Sequence, residues 1–443
     1  MPKITYHDDN QPEFIIQPKP SETILEAALH NDIEHYHVCG GHARCTTCRV
    51  HILTGQEHLS PRTKAEMRIA IDKNWPDNIR LACQAKALDN ITLKRLVIDH
   101  VDAELAYSEN STSCFAKEDV LAVMFCDLEK FTSFSAKHLH NPYDVIHLLN
   151  RFYQEIGGPI VTNHGIIDNY MGDGFLAFFG LGNNHSPTET CLNAIRASLR
   201  MLARVEELNK YISRQFSHQF KIRIGLHYGP VILGEVGYHA NKKPTVIGNT
   251  VNVASRIESA NKEFRTQILA SQELIETVQN QVQIGQTFTT QLRGQNRFHQ
   301  LHEIVGFKTP DTQFLVQSTL EKMMPSINDC THQFYQQLFQ LAPNVKPMFN
   351  GMDIKNRKNM LISMIKLAVQ GINRFNDFKP SIQQINDKHH HLSLKPTDYV
   401  TAVKALTMML EKHLDKEDFN PAVRQAWTQF YDKIATAIAQ IEN

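Results

Sequence analysis

The stretch Val120-Leu-Ala-Val-Met-Phe-Cys-Asp-Leu-Glu-Lys-Phe-Thr132 decides the fold of the central part of the chain. Its first seven residues are apolar, which is typical of a strand that is buried inside a sheet. Asp127 follows directly, and a helix is expected to begin near Phe131 and Thr132. The backbone N–H groups at the start of that helix could bind a triphosphate.

A second aspartate lies in a predicted hairpin further along the chain. Ile166-Ile167 and the run from Phe175 to Phe179 flank Gly172-Asp173-Gly174, which predicts two strands joined by a turn. Two carboxylates at adjacent strand ends can hold two divalent cations for an in-line displacement at phosphorus. We therefore expect Asp127 and Asp173 to bind two Mg²⁺ or Mn²⁺ ions. The alternative is that each aspartate only caps a turn.

Regular elements alternate around these aspartates between residues 118 and 307. A long amphipathic helix is expected from Pro142 to Asn163, and Ser186-Pro187-Thr188-Glu189 is a capping box that begins another helix. Lys221 to Leu226 and Val231 to Val236 are typical of a further pair of strands. This alternation indicates an α/β or α+β domain.

Downstream, a helical segment places an amide and a guanidinium on one face. In Thr245-Val-Ile-Gly-Asn-Thr-Val-Asn-Val-Ala-Ser-Arg-Ile-Glu258, Asn252 and Arg256 are four residues apart. An amide can orient a ribose, and a guanidinium can stabilise charge on a phosphoryl transition state.

Together these segments closely resemble the class III nucleotide cyclases over about 190 residues, including Leu292-Arg293-Gly294. The resemblance implies a ferredoxin-like α/β fold and a homodimer whose two active sites lie at the dimer interface. It implies that Asp127 and Asp173 bind the metal ions, that Asn252 and Arg256 act on the transition state, and that Arg293 binds phosphate.

The same resemblance places base recognition at Asn169 and Thr245. The family's adenine-binding Lys is absent at Asn169, and so are the Glu and Cys that are typical of guanylyl cyclases. The Asn169 amide could serve either base, since it has both a donor and an acceptor. Thr245 is common among bacterial adenylyl members, which favours ATP as the substrate and leaves GTP as the alternative.

The first hundred residues hold four of the eight cysteines. Cys39, Cys45 and Cys48 have the spacing C-x5-C-x2-C, and Cys83 follows 35 residues later. Four thiolates can hold a [2Fe–2S] cluster. Gly40 and Gly41 permit positive φ angles, which would let backbone N–H groups approach the cluster.

The segments Cys39-Gly-Gly-His-Ala-Arg-Cys-Thr-Thr-Cys48 and Arg80-Leu-Ala-Cys-Gln84 resemble the [2Fe–2S] ferredoxins, and the adrenodoxin type more than the plant type. The resemblance implies a β-grasp domain over residues 1–100, with residues 101–117 as a linker. A four-cysteine zinc site is the alternative. It is disfavoured because zinc sites usually pair one C-x2-C with a second, and Cys83 stands alone.

From about residue 314 to 443 the strand signals end and apolar residues recur at helical spacing, which predicts an all-α domain. This domain contains the triplet His389-His390-His391. Taken alone, such a triplet is most often a solvated polar patch.

The surrounding residues resemble a globin of the bacterial flavohaemoglobin type. The similar segments are Phe334-Tyr335-Gln-Gln-Leu338-Phe339, Pro347-Met-Phe349-Asn350, Lys388-His389 and Lys395-Pro396-x-x-Tyr399. The resemblance implies a b-type haem that binds O₂, NO or CO, with His389 as the proximal ligand and Phe349 against the haem. It places Tyr335 and Arg357 on the distal side. His390 is the alternative proximal ligand, and a haem-free sensor-type globin is the alternative to a haem protein.

Composition excludes other classes of function. Lys and Arg number 46 and Asp and Glu number 46, so the formal net charge is zero, which argues against nucleic-acid binding. The longest apolar run, Val120 to Cys126, is far shorter than the roughly 20 residues of a membrane span. The N-terminus lacks the apolar stretch of a signal peptide. We therefore expect a cytoplasmic protein with reduced thiols and no membrane partner.

The three parts together predict a redox- and gas-regulated nucleotide cyclase that makes cAMP from ATP. One alternative is a guanylate cyclase. Another is an oxidoreductase in which the ferredoxin reduces the globin for O₂ or NO chemistry and the cyclase module only dimerises. The sequence shows no flavin or NAD-reductase domain, so we expect an unidentified electron donor.

Overall fold

The computed structural model describes residues 2–7, 13–111, 116–139, 141–182, 185–237, 243–323, 326–349, 356, 358–359, 361–362 and 396–441. The chain forms two compact units. One contains Met1–Asp119 and Pro230–Gly248, and the other contains Val120–Gly229 and Asn249–Asn443.

The first unit is built on a five-stranded sheet in the order β2-β1-β5-β3-β4. Its strands are β1 (Ile4–Tyr6), β2 (Phe14–Ile16), β3 (Arg49–Thr54), β4 (Ile79–Leu81) and β5 (Ile91–Arg95). Its helices are α1 (Ile24–His30), α2 (Lys64–Asp72) and α3 (His100–Ser111). β1 runs parallel to β5, and the other neighbouring strands are antiparallel. This mixed sheet with a helix against it is the expected β-grasp arrangement.

Local chemistry sets the ends of these helices. The helix expected after Ser21 begins at Ile24, because Thr23 and Glu26 form the capping box that satisfies its first N–H groups. Much of the expected linker is helical and belongs to α3. Thr46 Oγ1 donates a hydrogen bond to the carbonyl oxygen of Ala106, which fastens α3 to the loop that carries the cysteines.

A larger sheet in the order β12-β13-β11-β9-β6-β8-β7, with β10 paired to β9, contributes most of its strands to the second unit, whereas β10, residues 230–236 of β9 and residues 117–119 of β6 belong to the first unit. The strands are β6 (Lys117–Leu128), β7 (Gly165–Met171), β8 (Gly174–Phe179), β9 (Ile222–Val236), β10 (Lys243–Ile247), β11 (Ile268–Ser271), β12 (Val282–Gln291) and β13 (Phe298–Phe307). The helices that follow or separate them are α4 (Phe131–His138), α5 (Pro142–Thr162), α6 (Pro187–Phe216), α7 (Asn249–Phe264) and α8 (Gln272–Val278).

One strand prediction is wrong. Lys221 to Leu226 and Val231 to Val236 do not pair with each other, because both belong to the single strand β9. Each half of β9 has its own neighbour: the first half pairs with β11 and the second with β10. The intervening residues therefore stay extended, and no turn is needed between the halves.

Helices cover both faces of the large sheet. Ile268 and Ala270 of β11 join a core with α5, α6 and α8, whereas Leu269 joins a core with α7. Successive residues of a strand point to opposite faces. Helix α7 therefore lies on the face opposite to α5 and α6.

After β13 the described residues form helices and connecting turns and no strand, as predicted. It contains α9 (Thr312–Met323), α10 (Ile327–Leu341), α11 (Pro396–His413) and α12 (Pro421–Ile441). These helices share a core that includes the fully buried Trp427. Within the described residues, no helix has both the length and the apolar composition that crossing a bilayer requires.

Candidate active site and cofactor sites

The two aspartates lie side by side at the ends of neighbouring strands. Asp127 is near the end of β6, and Asp173 lies in the turn between β7 and β8. Because Cys126 pairs with Phe175, Asp127 lies next to Gly174. A Cβ atom on Gly174 would lie 2.7 Å from the carbonyl oxygen of Cys126 and 3.3 Å from Asp127 Oδ1. Only glycine lets the turn come this close to the first aspartate.

The surroundings of these carboxylates suit a cation site. Burial and the negative charge of Asp127 raise the pKa of Asp173 above its ordinary value. A divalent cation held by both carboxylates would remove this repulsion. The donor set therefore fits the two-cation site that the sequence predicts.

Arg223 is a neighbour of Asp127 that is not among the residues predicted from the sequence. Its Nη2 donates a hydrogen bond to Asp127 Oδ2 at 2.5 Å, and its Nε lies 3.1 Å from Glu258 Oε1 on α7. Burial raises the pKa of Glu258 to about 7 against the opposing effect of Arg223. The available signal was the charged residue inside the apolar strand pattern Lys221-Ile-Arg-Ile, since a buried charge needs a partner.

Helix α5 supports the turn that carries Asp173. Tyr153 Oη donates a hydrogen bond to the carbonyl oxygen of Gly172 at 2.5 Å and lies 3.3 Å from that of Gly174. The Tyr153 ring packs on Tyr170, with 4.4 Å between the ring centroids. Burial and the nearby Asp173 raise the pKa of Tyr153 to about 12, so the hydroxyl remains a donor at neutral pH.

Asn252 and Arg256 lie one turn apart on α7. Asn252 is exposed, whereas Arg256 is half-buried, and its Nη1 is buried without a hydrogen-bond partner among the described residues. A Cβ atom on Gly294 would lie 3.4 Å from Arg256 Nη2, so the loop that carries the exposed Arg293 approaches this guanidinium. A buried guanidinium N–H group that has no acceptor is suited to bind an anionic ligand.

The other predicted nucleotide contacts lie on three separate elements. Phe131 is buried and Thr132 exposed at the start of α4, where the N-cap residue makes no side-chain cap. Among the described residues, the first N–H groups of α4 therefore have no cap from the Lys130 side chain, and this helix start is suited to an anion. Asn169 is exposed on β7, and Thr245 is half-buried on β10 opposite Gly234.

The four N-terminal cysteines lie as two neighbouring pairs, because Cys45 affects the pKa of Cys39 and Cys48 affects the pKa of Cys83. The loop curls around them because Gly40 and Gly41 have φ angles of 68° and 84°. Two thiols for each iron atom is the ligand set of a [2Fe–2S] cluster, so this arrangement fits the predicted group.

Thiolates, rather than thiols, bind iron. Although partial burial opposes ionisation, backbone N–H groups from Arg44 and its neighbours lower the pKa of Cys39. The hydrogen bond with Cys48 lowers the pKa of Cys83 to about 6, and Gln84 Nε2 lies 3.6 Å from Cys83 Sγ. The same hydrogen bond, together with burial, raises the pKa of Cys48. In each pair, one cysteine therefore has a lowered pKa and ionises more readily than an ordinary thiol.

A buried ion pair fixes the strand that leads to Cys83. Arg80 Nε and Nη2 donate to the two carboxylate oxygens of Glu66 at 2.8 and 3.0 Å. The backbone N–H of Leu81 donates to Glu66 Oε1 at 2.8 Å. The Glu66 side chain is fully buried. This carboxylate therefore ties α2 to β4.

In the helical part, Tyr335 and Phe349 lie together. Their ring centroids are 5.1 Å apart, and the Phe339 ring contacts both. Both residues are buried, as two residues that face one haem would be. The predicted haem residues His389 and Arg357 lie outside the described residues.

Comparison with known proteins separates the chain into three matched segments. Residues 7–88 match the model of the 2Fe-2S iron-sulfur cluster binding domain. Residues 115–309 match the adenylate and guanylate cyclase catalytic domain, and residues 332–438 match the globin family.

Individual relatives agree with these matches. A 2Fe-2S ferredoxin of Pseudomonas aeruginosa is 42% identical over 95 residues, which are 20% of this chain and 83% of the relative. An adenylate cyclase of Anabaena cylindrica is 31% identical over 159 residues, which are 35% of this chain and 30% of the relative. The chain thus spans less than a third of that cyclase.

Among solved structures, the guanylyl cyclase Cya2 is 26% identical, with a TM-score of 0.41, and the match covers 44% of this chain and 96% of that one. After the residues of the first match come the adenylate and guanylate cyclase catalytic domain and then the globin domain. Over residues 7–88, the chain belongs to the [2Fe–2S] ferredoxins.

Proposed function

We propose that this protein is an adenylate cyclase, which converts ATP to cAMP and pyrophosphate. The observation that carries the proposal is the position of Asp173 beside Asp127, in a turn that only Gly174 allows. The name of the Anabaena cylindrica relative favours ATP over GTP. Asn169 and Thr245 would recognise the base.

The mechanism assigns a role to each part of the site. Asp127 and Asp173 would hold two Mg²⁺ or Mn²⁺ ions, which would activate the ribose 3′-hydroxyl and neutralise the triphosphate. The N-terminus of α4 at Phe131 and Thr132, with Arg293, would bind the triphosphate. Asn252 would orient the ribose. Arg256 would stabilise the charge that develops as the 3′-oxygen displaces pyrophosphate in line at the α-phosphorus.

The proposal includes a homodimer in which each active site uses residues of both chains. Within one chain, Asp127 pairs with Arg223 rather than with Asn252 or Arg256. This pairing agrees with an arrangement in which α7 of one chain completes the site of its partner.

Regulation is part of the proposal. A [2Fe–2S] cluster on Cys39, Cys45, Cys48 and Cys83 would report the redox state, and a haem in the globin domain would bind O₂, NO or CO. A ligand can shift the catalytic domain only if it favours one arrangement over another. The corresponding domains would be residues 1–100, 118–307 and 314–443, joined by a linker at 101–117.

The test measures cAMP and cGMP formed by the purified protein from ATP and GTP at equal concentration. We expect faster formation of cAMP, and an inactive Asp127→Ala variant. Faster turnover of GTP would establish a guanylate cyclase instead. Absence of both products, with consumption of NO by the same protein, would establish the oxidoreductase alternative.

A mixing experiment tests the dimer. Asp127→Ala and Arg256→Ala should each be inactive, but a mixed dimer keeps one intact site. Random assortment makes half of the dimers mixed, so co-expression should restore about a quarter of the wild-type activity. No recovery would contradict the shared site. Turnover compared between oxidised, reduced and CO-bound protein tests the regulation, and equal turnover in all three would contradict it.

A further inference from the structure

Helix α6 carries two buried arginines that bind the segment around α9. Arg196 and Arg200 are only 4% and 2% exposed. Arg196 Nε and Nη2 donate to the two carboxylate oxygens of Asp311, just before α9, at 3.0 and 2.8 Å. Arg200 donates to Gln317 Oε1 at 2.7 Å and forms an ion pair with Glu321, both on α9. Such paired contacts fix both distance and orientation.

The same groups hold the C-terminal end of α5. Arg200 Nη1 donates to Thr162 Oγ1 at 2.8 Å, and Gln317 Nε2 donates to the carbonyl oxygen of Thr162 at 3.2 Å. Gln313 Nε2 donates to Asn163 Oδ1 at 3.3 Å. The side chains of Arg200, Gln313 and Gln317 that make these contacts are buried. A displacement of α9 therefore moves the end of α5.

Near the middle of α5, Tyr153 holds the turn that carries Asp173. Thr162 and Tyr153 are nine residues apart on one helix, which is about 13 Å along its axis. Arg204 of α6 also pairs with Glu155. Helix α5 is continuous between these two contacts, with Pro159 inside it, so a shift of the helix at Thr162 is passed on to the contact at Gly172.

Helix α9 also belongs to the helical core of the globin part. Its residues Val316, Leu320 and Met323 share that core with residues of α10, α11 and α12. Thr312 Oγ1 donates to Gln429 Oε1 of α12 at 2.7 Å. Lys322 pairs with Asp418 at 2.5 Å. A change in the globin helices thus has a direct packing route to α9.

We propose that Tyr153 is a positioning residue for Asp173, and that α9, fixed to α5 through Arg200 and Gln317, sets this position according to the state of the globin helices. This inference rests on the proposed function, because it gives the regulation of the cyclase site a route. Helix shifts of about 1–2 Å are the usual size of such changes. Tyr153 contacts the carbonyl oxygens of Gly172 and Gly174, on either side of Asp173, so a shift of α5 changes the position of this metal-binding carboxylate.

The first experiment measures Mn²⁺ binding to the full chain, from the electron paramagnetic resonance signal of free Mn²⁺. The Asp173→Ala variant identifies the part of the binding that belongs to this site. Tyr153→Phe keeps the ring against Tyr170 but loses the hydroxyl, and should weaken this binding roughly 3- to 10-fold. Tyr143→Phe is the matched control, because Tyr143 is exposed on the same helix.

Equal Mn²⁺ affinity of Tyr153→Phe and wild type would overturn the positioning role. Absence of Mn²⁺ binding that depends on Asp173 would overturn the proposed function itself. The two failures are therefore distinct.

The second experiment measures the same Mn²⁺ affinity with and without CO on the reduced protein. Arg200→Met/Glu321→Met replaces the buried pair by apolar side chains without leaving a lone charge. Gln317→Leu is a second, uncharged variant, and Lys210→Met removes a charge from the exposed side of α6 as the control. We expect a roughly 3-fold or larger effect of CO in wild type and Lys210→Met. The other two variants should lose it while remaining folded at the temperature of the assay, as their unfolding temperatures would show.

Variants that retain the CO effect would overturn the route through α9. A wild type whose Mn²⁺ affinity does not respond to CO would overturn the coupling, even if the protein makes cAMP.

Discussion

Replacing Glu66 by alanine should destabilise the cluster-binding domain, because it removes the buried ion pair between Glu66 and Arg80. Arg80 would lose the two carboxylate oxygens that accept its hydrogen bonds, although its own side chain is only 5% exposed. Its Nη2 would keep the hydrogen bond to the carbonyl oxygen of Ser60 at 3.0 Å. The N–H of Leu81 would lose its acceptor as well. A buried guanidinium without a counter-ion is the main consequence.

The size of the effect follows from this geometry. Removing one partner of a buried ion pair costs about 3–5 kcal/mol, because the remaining charge stays desolvated. A domain of this size has a total stability of about 5–15 kcal/mol. At roughly 4–8 °C for each kcal/mol, the unfolding temperature should fall by roughly 12–40 °C. Because Cys83 follows Arg80 by three residues, the cluster should be lost at the same temperature.

The assay follows the visible absorbance of the cluster during heating, with the full-length protein. Glu57→Ala is the control, because Glu57 is an exposed carboxylate of the same domain. The double variant Glu66→Leu/Arg80→Met should recover most of the loss, since no lone charge remains. If Glu66→Ala bleached within a few degrees of wild type, the reasoning from the buried pair would be refuted.

Three further predictions concern other parts of the chain. Gly174→Ala should lower cyclase activity and cost about 1–3 kcal/mol, since its Cβ would collide with the carbonyl oxygen of Cys126. Gly158→Ala, in open space, should do neither, and equal activity of the two variants would contradict the close approach. Burial lowers the pKa of His227 from 6.5 to about 4. Between these pH values the unfolded protein therefore binds a proton at His227 that the folded protein does not bind. Stability should fall by about 3 kcal/mol as the pH drops from 6.5 to 4. His227→Gln should flatten this dependence in denaturant titrations, and an unchanged slope would disprove it. His389→Ala should abolish the Soret band, and a full band would disprove the proximal ligand.

Much of the catalytic unit could be predicted because its signals are local. The apolar run before Asp127 and the Gly172-Asp173-Gly174 turn each determine one element, and those elements occur as predicted. The helix from Pro142 is also confirmed, because Asn141 caps it and Pro142 suits its first position.

Other features could not be predicted, because they depend on pairing between distant segments. Nothing near Pro230 shows that the two halves of β9 have different neighbours, since β10 and β11 come later in the chain. Likewise, Arg223 meets Asp127 and Glu258 only after the sheet forms. Tyr153 could not be predicted from its helical pattern, which explains its burial but not its hydrogen bond to Gly172.

The buried arginines of α6 affect how such a protein can evolve. The carboxylates of Asp311 and Glu321 lie beyond residue 309, where the match to the cyclase domain ends. A gene fragment cut at that boundary would leave two guanidinium groups facing water or a foreign surface. Recombination that exchanged the globin for another regulatory module would therefore succeed only if α9 travelled with the cyclase. The inheritable module is then the catalytic domain together with this helix.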